Sequence, residues 1–214
     1  MKKLTIIMDT MNQPFCSGVI ITKGDKVLVT LNIDGLPERW RNLAWRVGGI
    51  GGGQEPNENI LECAMREAKE EVSVEVKLDS SRRTFFHDLD RNILEKINVA
   101  DEIAPFLIQR ISNSNPLKPY KPGLPVGPYT YFVLYMASIE NWDWIRAGDD
   151  VQGLLLVPMA EWDCLGKGAT ISELKNKGIE IVHLRNKEEG KKLWVPTDES
   201  LSMVCKLLLE YGYN

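Results

Sequence analysis

The 214 residues are 43% apolar and 26% charged, enough to build a buried core and unlike the composition of an unfolded chain. The length suits one elaborated domain over residues 1–214 rather than two full ones. A net charge of -4 and a pI near 5.4 exclude a binder of polymeric nucleic acid that works through a basic surface, because neutralisation of phosphates by Lys and Arg dominates such affinity.

The opening MKKLTIIMDT has an apolar run that stops at Asp9, too early for a secretory signal, and no later stretch approaches membrane-spanning length. The expected compartment is the cytoplasm and no membrane partner is expected. CSGVIITKGDKVLVTLNI follows, two β-branched runs around Gly24 and Asp25, which predicts an antiparallel hairpin. LAWRV reads as a strand running into a glycine loop, Gly48 to Gly53. From Asn57 to Val72 the period becomes helical: Asn57 is the expected N-cap, and Leu61, Ala64, Met65, Ala68 and Val72 form the expected apolar face. Ser73 to Leu78 alternates as a strand.

Residues 79–127 are long for a simple connection and read as an insertion. RNILEKI within it predicts a short helix. Pro116, Pro119, Pro122, Pro125 and Pro128 recur every third residue, the period of polyproline II, and suit either a docking strip or a stiff loop packed on its own domain. YTYFVLYMASI, GLLLV and IEIVHL read as strands, and DESLSMVCKLLLEYG as an amphipathic terminal helix. Cys16, Cys63, Cys164 and Cys205 have no close spacing and read as reduced packing residues.

Chemistry concentrates in the string Arg66, Glu67, Ala68, Lys69, Glu70, Glu71. Glu67, Glu70 and Glu71 stand at i, i+3 and i+4, so they share one side of a helix, where like charges repel by about 0.2–0.5 kcal/mol per pair. Glu70 and Glu71 also lie near the helix C-terminus, where the macrodipole disfavours anions. A bound cation reverses both costs, and an oxygen-only donor set suits Mg²⁺ or Mn²⁺. A solvated acidic face is the other reading of the string alone.

The spacing resembles the Nudix box. Gly52 is followed by five residues, Glu58, seven more, then Arg66 and Glu67, with Glu70, Glu71 and Val74 in step. Ser73 stands where the box usually has glycine, Ala68 where it has a larger aliphatic residue, and Asn57 where a glycine is common, although Asn tolerates similar backbone angles. The resemblance implies an α/β fold, a Nudix-type α/β/α sandwich with a mixed central sheet and an insertion after the Nudix helix. It implies a hydrolase that cleaves the diphosphate linkage of a nucleoside diphosphate derivative or nucleotide with Mg²⁺ or Mn²⁺. Its partner would be that small molecule, and a homodimer stays open.

By the same resemblance, Gly52 through its carbonyl, Glu67, Glu70 and Glu71 would hold metal, Arg66 would orient a glutamate, and Glu58 would brace the box. Glu67 or Glu70 would take the proton from the attacking water, with Asp149 and Asp150 as the other choice or as residues of a solvated turn. Arg46 is a candidate for phosphate and Trp40 for base stacking; Trp45 reads more readily as core. His87 and His183, far apart in sequence, receive no catalytic role. A diphosphate isomerase and a non-catalytic sensor that kept the box are the competing functions. Asp88 to Arg91 occupy the region where relatives carry the proline or tyrosine that marks ADP-ribose or dinucleoside polyphosphate substrates.

Overall fold

A computed structural model of the chain describes residues 12–186 and 188–212; the MKKLTIIMDT run lies outside them. The strands, in chain order, are β1 (Phe15–Lys23), β2 (Lys26–Asn32), β3 (Ala44–Gly48), β4 (Ile50–Gly53), β5 (Lys77–Asp79), β6 (Thr84–Asp88), β7 (Ile93–Ile97), β8 (Leu107–Ser112), β9 (Tyr129–Ser138), β10 (Gly153–Pro158), β11 (Glu180–Leu184) and β12 (Lys192–Trp194). The helices are α1 (Ile60–Val72), α2 (Trp162–Leu165), α3 (Ile171–Leu174) and α4 (Ser200–Tyr211). None of these is long and apolar enough to cross a membrane.

The chain forms two compact units, and both β1 and α1 contribute residues to each. In the first, built from residues 12–19, Gly51–Ala68 and Val76–Ser138, the strands run in the order β7, β6, β8, β9, with the start of β1 beside β9. Strands β6 and β8 are parallel, whereas β8 and β9 are antiparallel. Leu107, Ile108, Val133 and Tyr135 are buried, and the rings of Phe85 and Phe106 meet edge to face at 5.5 Å.

The second unit, Ile20–Ile50, Lys69–Glu75 and residues 139–212, orders β11, β10 and β2 antiparallel, with the end of β1 and β3 also pairing with β2. Strand β12 joins β3 in parallel. Glu199 caps α4 by accepting from Leu201 N, and the helix buries Leu201, Val204, Cys205, Leu207 and Leu208. The class is α/β with mixed strand directions.

The β1–β2 hairpin turns at Gly24 and Asp25 as its sequence predicts. Four local expectations change. The glycine run does not stay a loop: Ile50–Gly53 pairs with β1 as a strand. RNILEKI contains a strand, not a helix, because β7 is held in register on β6 from Thr84↔Ile97 to Asp88↔Ile93. Only Lys77–Asp79 of the stretch after α1 is strand. The prolines do not lie along one extended edge, because Lys118 N donates to Asn115 O and Leu124 N to Lys121 O, two turns that break the polyproline path. Residues 113–128 are instead the connection between β8 and β9, whose last pair is Ser112↔Tyr129.

Candidate active site on the acidic helix

Helix α1 starts later than its sequence predicts. Asn59, not Asn57, is the cap: its Oδ1 accepts from Leu61 N at 2.9 Å and Glu62 N at 3.1 Å, while Glu62 Oε2 accepts from Asn59 N at 2.8 Å. Asn57 is left-handed, with φ 65°, in the position where the box has glycine. The buried stripe is Ile60, Cys63, Ala64, Ala68 and Val72, rotated from the expected face; Met65 is 40% exposed.

That rotation matters for the carboxylates. Glu67 and Glu71 follow the buried Ile60 and Ala64 by seven residues each, so both stand along the apolar stripe, and Glu71 is 9% exposed. Glu70 is on the exposed side. Among the described residues, no three His, Cys, Asp or Glu side chains are gathered into a metal cage. Glu67 is drawn onto Arg66, whose Nη1 donates to its Oε1 at 2.8 Å.

Arg66 ties the box together within the first unit. Its Nε and Nη2 donate to the two carboxylate oxygens of Glu58 at 2.7 and 3.0 Å, a bidentate pair, and Nη2 also donates to Gly53 O at 3.0 Å. Glu58 Oε2 accepts from Glu55 N at 2.9 Å as well, closing the turn before the helix. Partial burial pushes the Glu58 carboxyl up, but hydrogen bonds from Arg66 and Glu55 N and the guanidinium charge outweigh it, so its pKa lies below the ordinary range. Arg66 is held firmly protonated, first by its hydrogen bond to Glu58 and then, against its own partial burial, by Glu67.

Gly52 is where backbone and carboxylate meet. A Cβ there would lie 2.5 Å from Glu67 Oε2 and 2.6 Å from its Cδ, so only glycine lets the Glu67 carboxylate rest against the main chain. Cys63 Sγ, a weak donor, makes a long contact of 3.7 Å to the Gly52 carbonyl. Cys16 on β1 has its thiol pushed up to about 11, by burial and then by the Glu67 carboxylate.

The far end of the helix belongs to the second unit. Gly148 N donates to Glu71 O at 2.9 Å and Arg146 N to Val72 O at 3.3 Å, capping the last carbonyls. A Cβ on Gly148 would overlap the Glu70 carbonyl oxygen. Nothing in its sequence context singles this glycine out; it merely precedes Asp149 and Asp150. The loop therefore brings both aspartates to the end of the helix that carries Glu70 and Glu71. Asp149 is fully exposed and its Oδ1 accepts from Arg185 Nη2 at 2.8 Å.

Residues 14–102 match the family model of the NUDIX domain. The chain carries a NUDIX domain over these residues. No curated protein matches it. Among solved structures it is similar to a NUDIX hydrolase from Nitrosomonas europaea, at 14% identity over 71% of this chain with a TM-score of 0.39, and it spans only 60% of that protein. It is also similar to an ADP-ribose pyrophosphatase from Streptococcus suis (11% identity, 94% of each chain, TM-score 0.41) and to a C. elegans Ap4A hydrolase (14% identity, 77% of this chain and 94% of that one, TM-score 0.39). Likenesses this low carry nothing about substrate.

The other candidates lie apart from the Nudix box in their bonding. Arg46 on β3 pairs with Glu199 at 3.7 Å, and Glu199 also accepts from Gly49 N at 3.3 Å. Burial raises the Glu199 carboxyl against the Arg46 charge. Trp45 is buried with the Lys191 ammonium 3.9 Å from its ring centre, and Trp40 is half-buried beneath Lys192. His87 is buried between Gln109 and Asn92, while His183 Nδ1 accepts from Ala147 N at 3.0 Å.

Proposed function

We propose that this chain hydrolyses the diphosphate linkage of a nucleoside diphosphate derivative with Mg²⁺ or Mn²⁺, in the cytoplasm, and that Gly52, Glu67, Glu70 and Glu71 hold the ion. The observation that carries this reading is the contact between Gly52 and Glu67, a carboxylate seated where a side chain would otherwise be. All the donors are hard oxygens, which fit Mg²⁺. A carboxylate on the buried stripe of a helix, as Glu71 is, has a desolvation cost that a cation offsets.

When bound, the ion supplies neutralisation of the diphosphate charge and acidifies water. The chain's own residues do the rest. Glu58 fixes the Arg66 guanidinium, and Arg66 fixes Glu67, so this carboxylate reaches its working position without reorganising. Glu67 or Glu70 accepts the proton of the attacking water. Arg46 is the candidate for phosphate binding, and its guanidinium, paired with Glu199 through Nη2 alone, keeps other donors for a phosphate.

Screening nucleoside diphosphate derivatives with each metal tests the reading. Glu67→Gln and Glu71→Gln should each lower turnover of the best substrate at least about a hundredfold while the fold survives. A readout independent of activity is the melting temperature, which Mg²⁺ at a hundredfold excess over its dissociation constant should raise through about 2.7 kcal/mol of linkage. Equal shifts in the wild type and in a Glu70→Gln, Glu71→Gln double variant, at constant ionic strength, would rule out this helix as the metal site.

A further inference from the structure

We infer that the proline-rich connection between β8 and β9 forms, with the start of β1 and the end of β4, the seat of the substrate's nucleoside, with Tyr120 as the stacking surface for the base. This deepens the hydrolase reading and rests on it for the diphosphate itself.

A cavity of about 490 Å³ lies wholly within the first unit, a size typical of small-molecule sites. One wall is Phe15, Cys16, Gly53 and Gln54. The other comes from the connection, residues 113–125, including Lys118 and Tyr120. The first wall is rigid: Gln54 Oε1 accepts from Phe15 N at 2.7 Å, and Gln54 N donates to Phe15 O at 3.3 Å. It also adjoins the candidate catalytic group, since Gly53 follows Gly52 and its carbonyl accepts from Arg66.

The second wall is built to stand over the first. Asn113 N donates to Pro128 O at 2.8 Å and Asn113 Nδ2 to Gly127 O at 3.0 Å, pinching the base of the connection. Gly123, with φ +86°, a left-handed angle that favours glycine, lies beside the turn before the Nudix helix, where a Cβ would make an ordinary contact of 3.5 Å with Pro56 Cγ. The prolines restrict the remaining φ angles, so the loop loses little entropy when a ligand fixes it.

The chemistry of the lining limits what fits. Among the described residues its lining contains one cation, Lys118, and no carboxylate; the rest is aromatic, aliphatic, amide, hydroxyl (Ser114, Thr130) and the Cys16 thiol. A second phosphorylated group would need more than one cation, whereas a neutral ring with hydrogen-bonding edges needs none. Tyr120 lines the cavity yet is 82% exposed, so a ring face remains open to stacking. With the base on Tyr120, Lys118 serves the phosphate attached to the ribose.

Calorimetric titration of the full chain with nucleoside monophosphates and with ribose 5-phosphate, both in Mg²⁺, tests the seat. At least one nucleoside monophosphate should bind about tenfold or more tighter than ribose 5-phosphate, the margin expected of a stacked base. Tyr120→Ala should erase that margin, Tyr120→Phe should keep it, and Lys118→Ala should weaken both probes alike. No margin in the wild type, or an undiminished one in Tyr120→Ala, overturns the inference. Neither probe contains a diphosphate, so binding is read whether or not the chain turns anything over. Base-dependent binding without hydrolysis would sink the hydrolase reading alone, and hydrolysis without it would sink the seat alone.

Discussion

The two ends of the Nudix helix are secured by opposite means. Around Arg66 the work is done by side chains: Glu58, Arg66 and Glu67 form one charged network, and Gly52 is bare so that a carboxylate can approach. Around Glu70 and Glu71 it is done by main chain: Gly148 and Arg146 donate to the carbonyls of Glu71 and Val72. Ser73 takes a left-handed φ of 58° while its N–H donates to Lys69 O. A side-chain network leaves a spaced motif of charged residues in the sequence. A backbone cap leaves only an absence of side chain.

The largest effect expected from breaking this contrast is at the main-chain end. Gly148→Ala puts a methyl group onto the Glu70 carbonyl, a backbone atom that no rotamer change can move, and should cost at least about 3 kcal/mol. Urea denaturation checks it, and a midpoint close to that of the wild type would show that the loop shifts freely away from the helix.

At the side-chain end, Glu58→Gln removes one charge from the network and should cost about 1–2 kcal/mol near neutral pH. The pH dependence carries the sign. Because the Glu58 pKa is lowered in the folded chain, its contribution is complete above the ordinary carboxylate value and is lost as pH falls through the folded value. Melting curves of wild type and variant should therefore differ at neutral pH and converge in acid. A constant gap at every pH would assign the loss to packing.

The smallest effect sharpens the comparison. Ser73→Gly removes the Cβ from a left-handed position after the helix and should stabilise by up to about 1 kcal/mol, a rise of a few degrees in Tm. A loss of stability would show that the Ser73 side chain makes a contact worth more than the strain.

Short-range features of the chain are legible in the order of its residues alone. The β1–β2 hairpin, the strands β9 to β11, the helix α4 and the box itself follow from residue period, turn chemistry and fixed spacing, all read within a few turns of backbone. The left-handed backbone at Asn57 is readable too, because a box glycine is replaced by the residue that best tolerates that angle.

Tertiary structure decided what pairing and close approach control. RNILEKI has helical-looking composition, yet β6 offers it a partner and it becomes β7; the glycines before α1 become β4 because β1 lies beside them. Asn59 displaced Asn57 as the cap once Asn57 was committed to a turn. That Glu71 is buried, that Gly148 must be glycine, and that Tyr120 faces a cavity walled by Phe15 all depend on residues far apart in the chain. A sequence records local backbone preference directly, but burial and contact are properties of the folded arrangement, and no period along the chain encodes them.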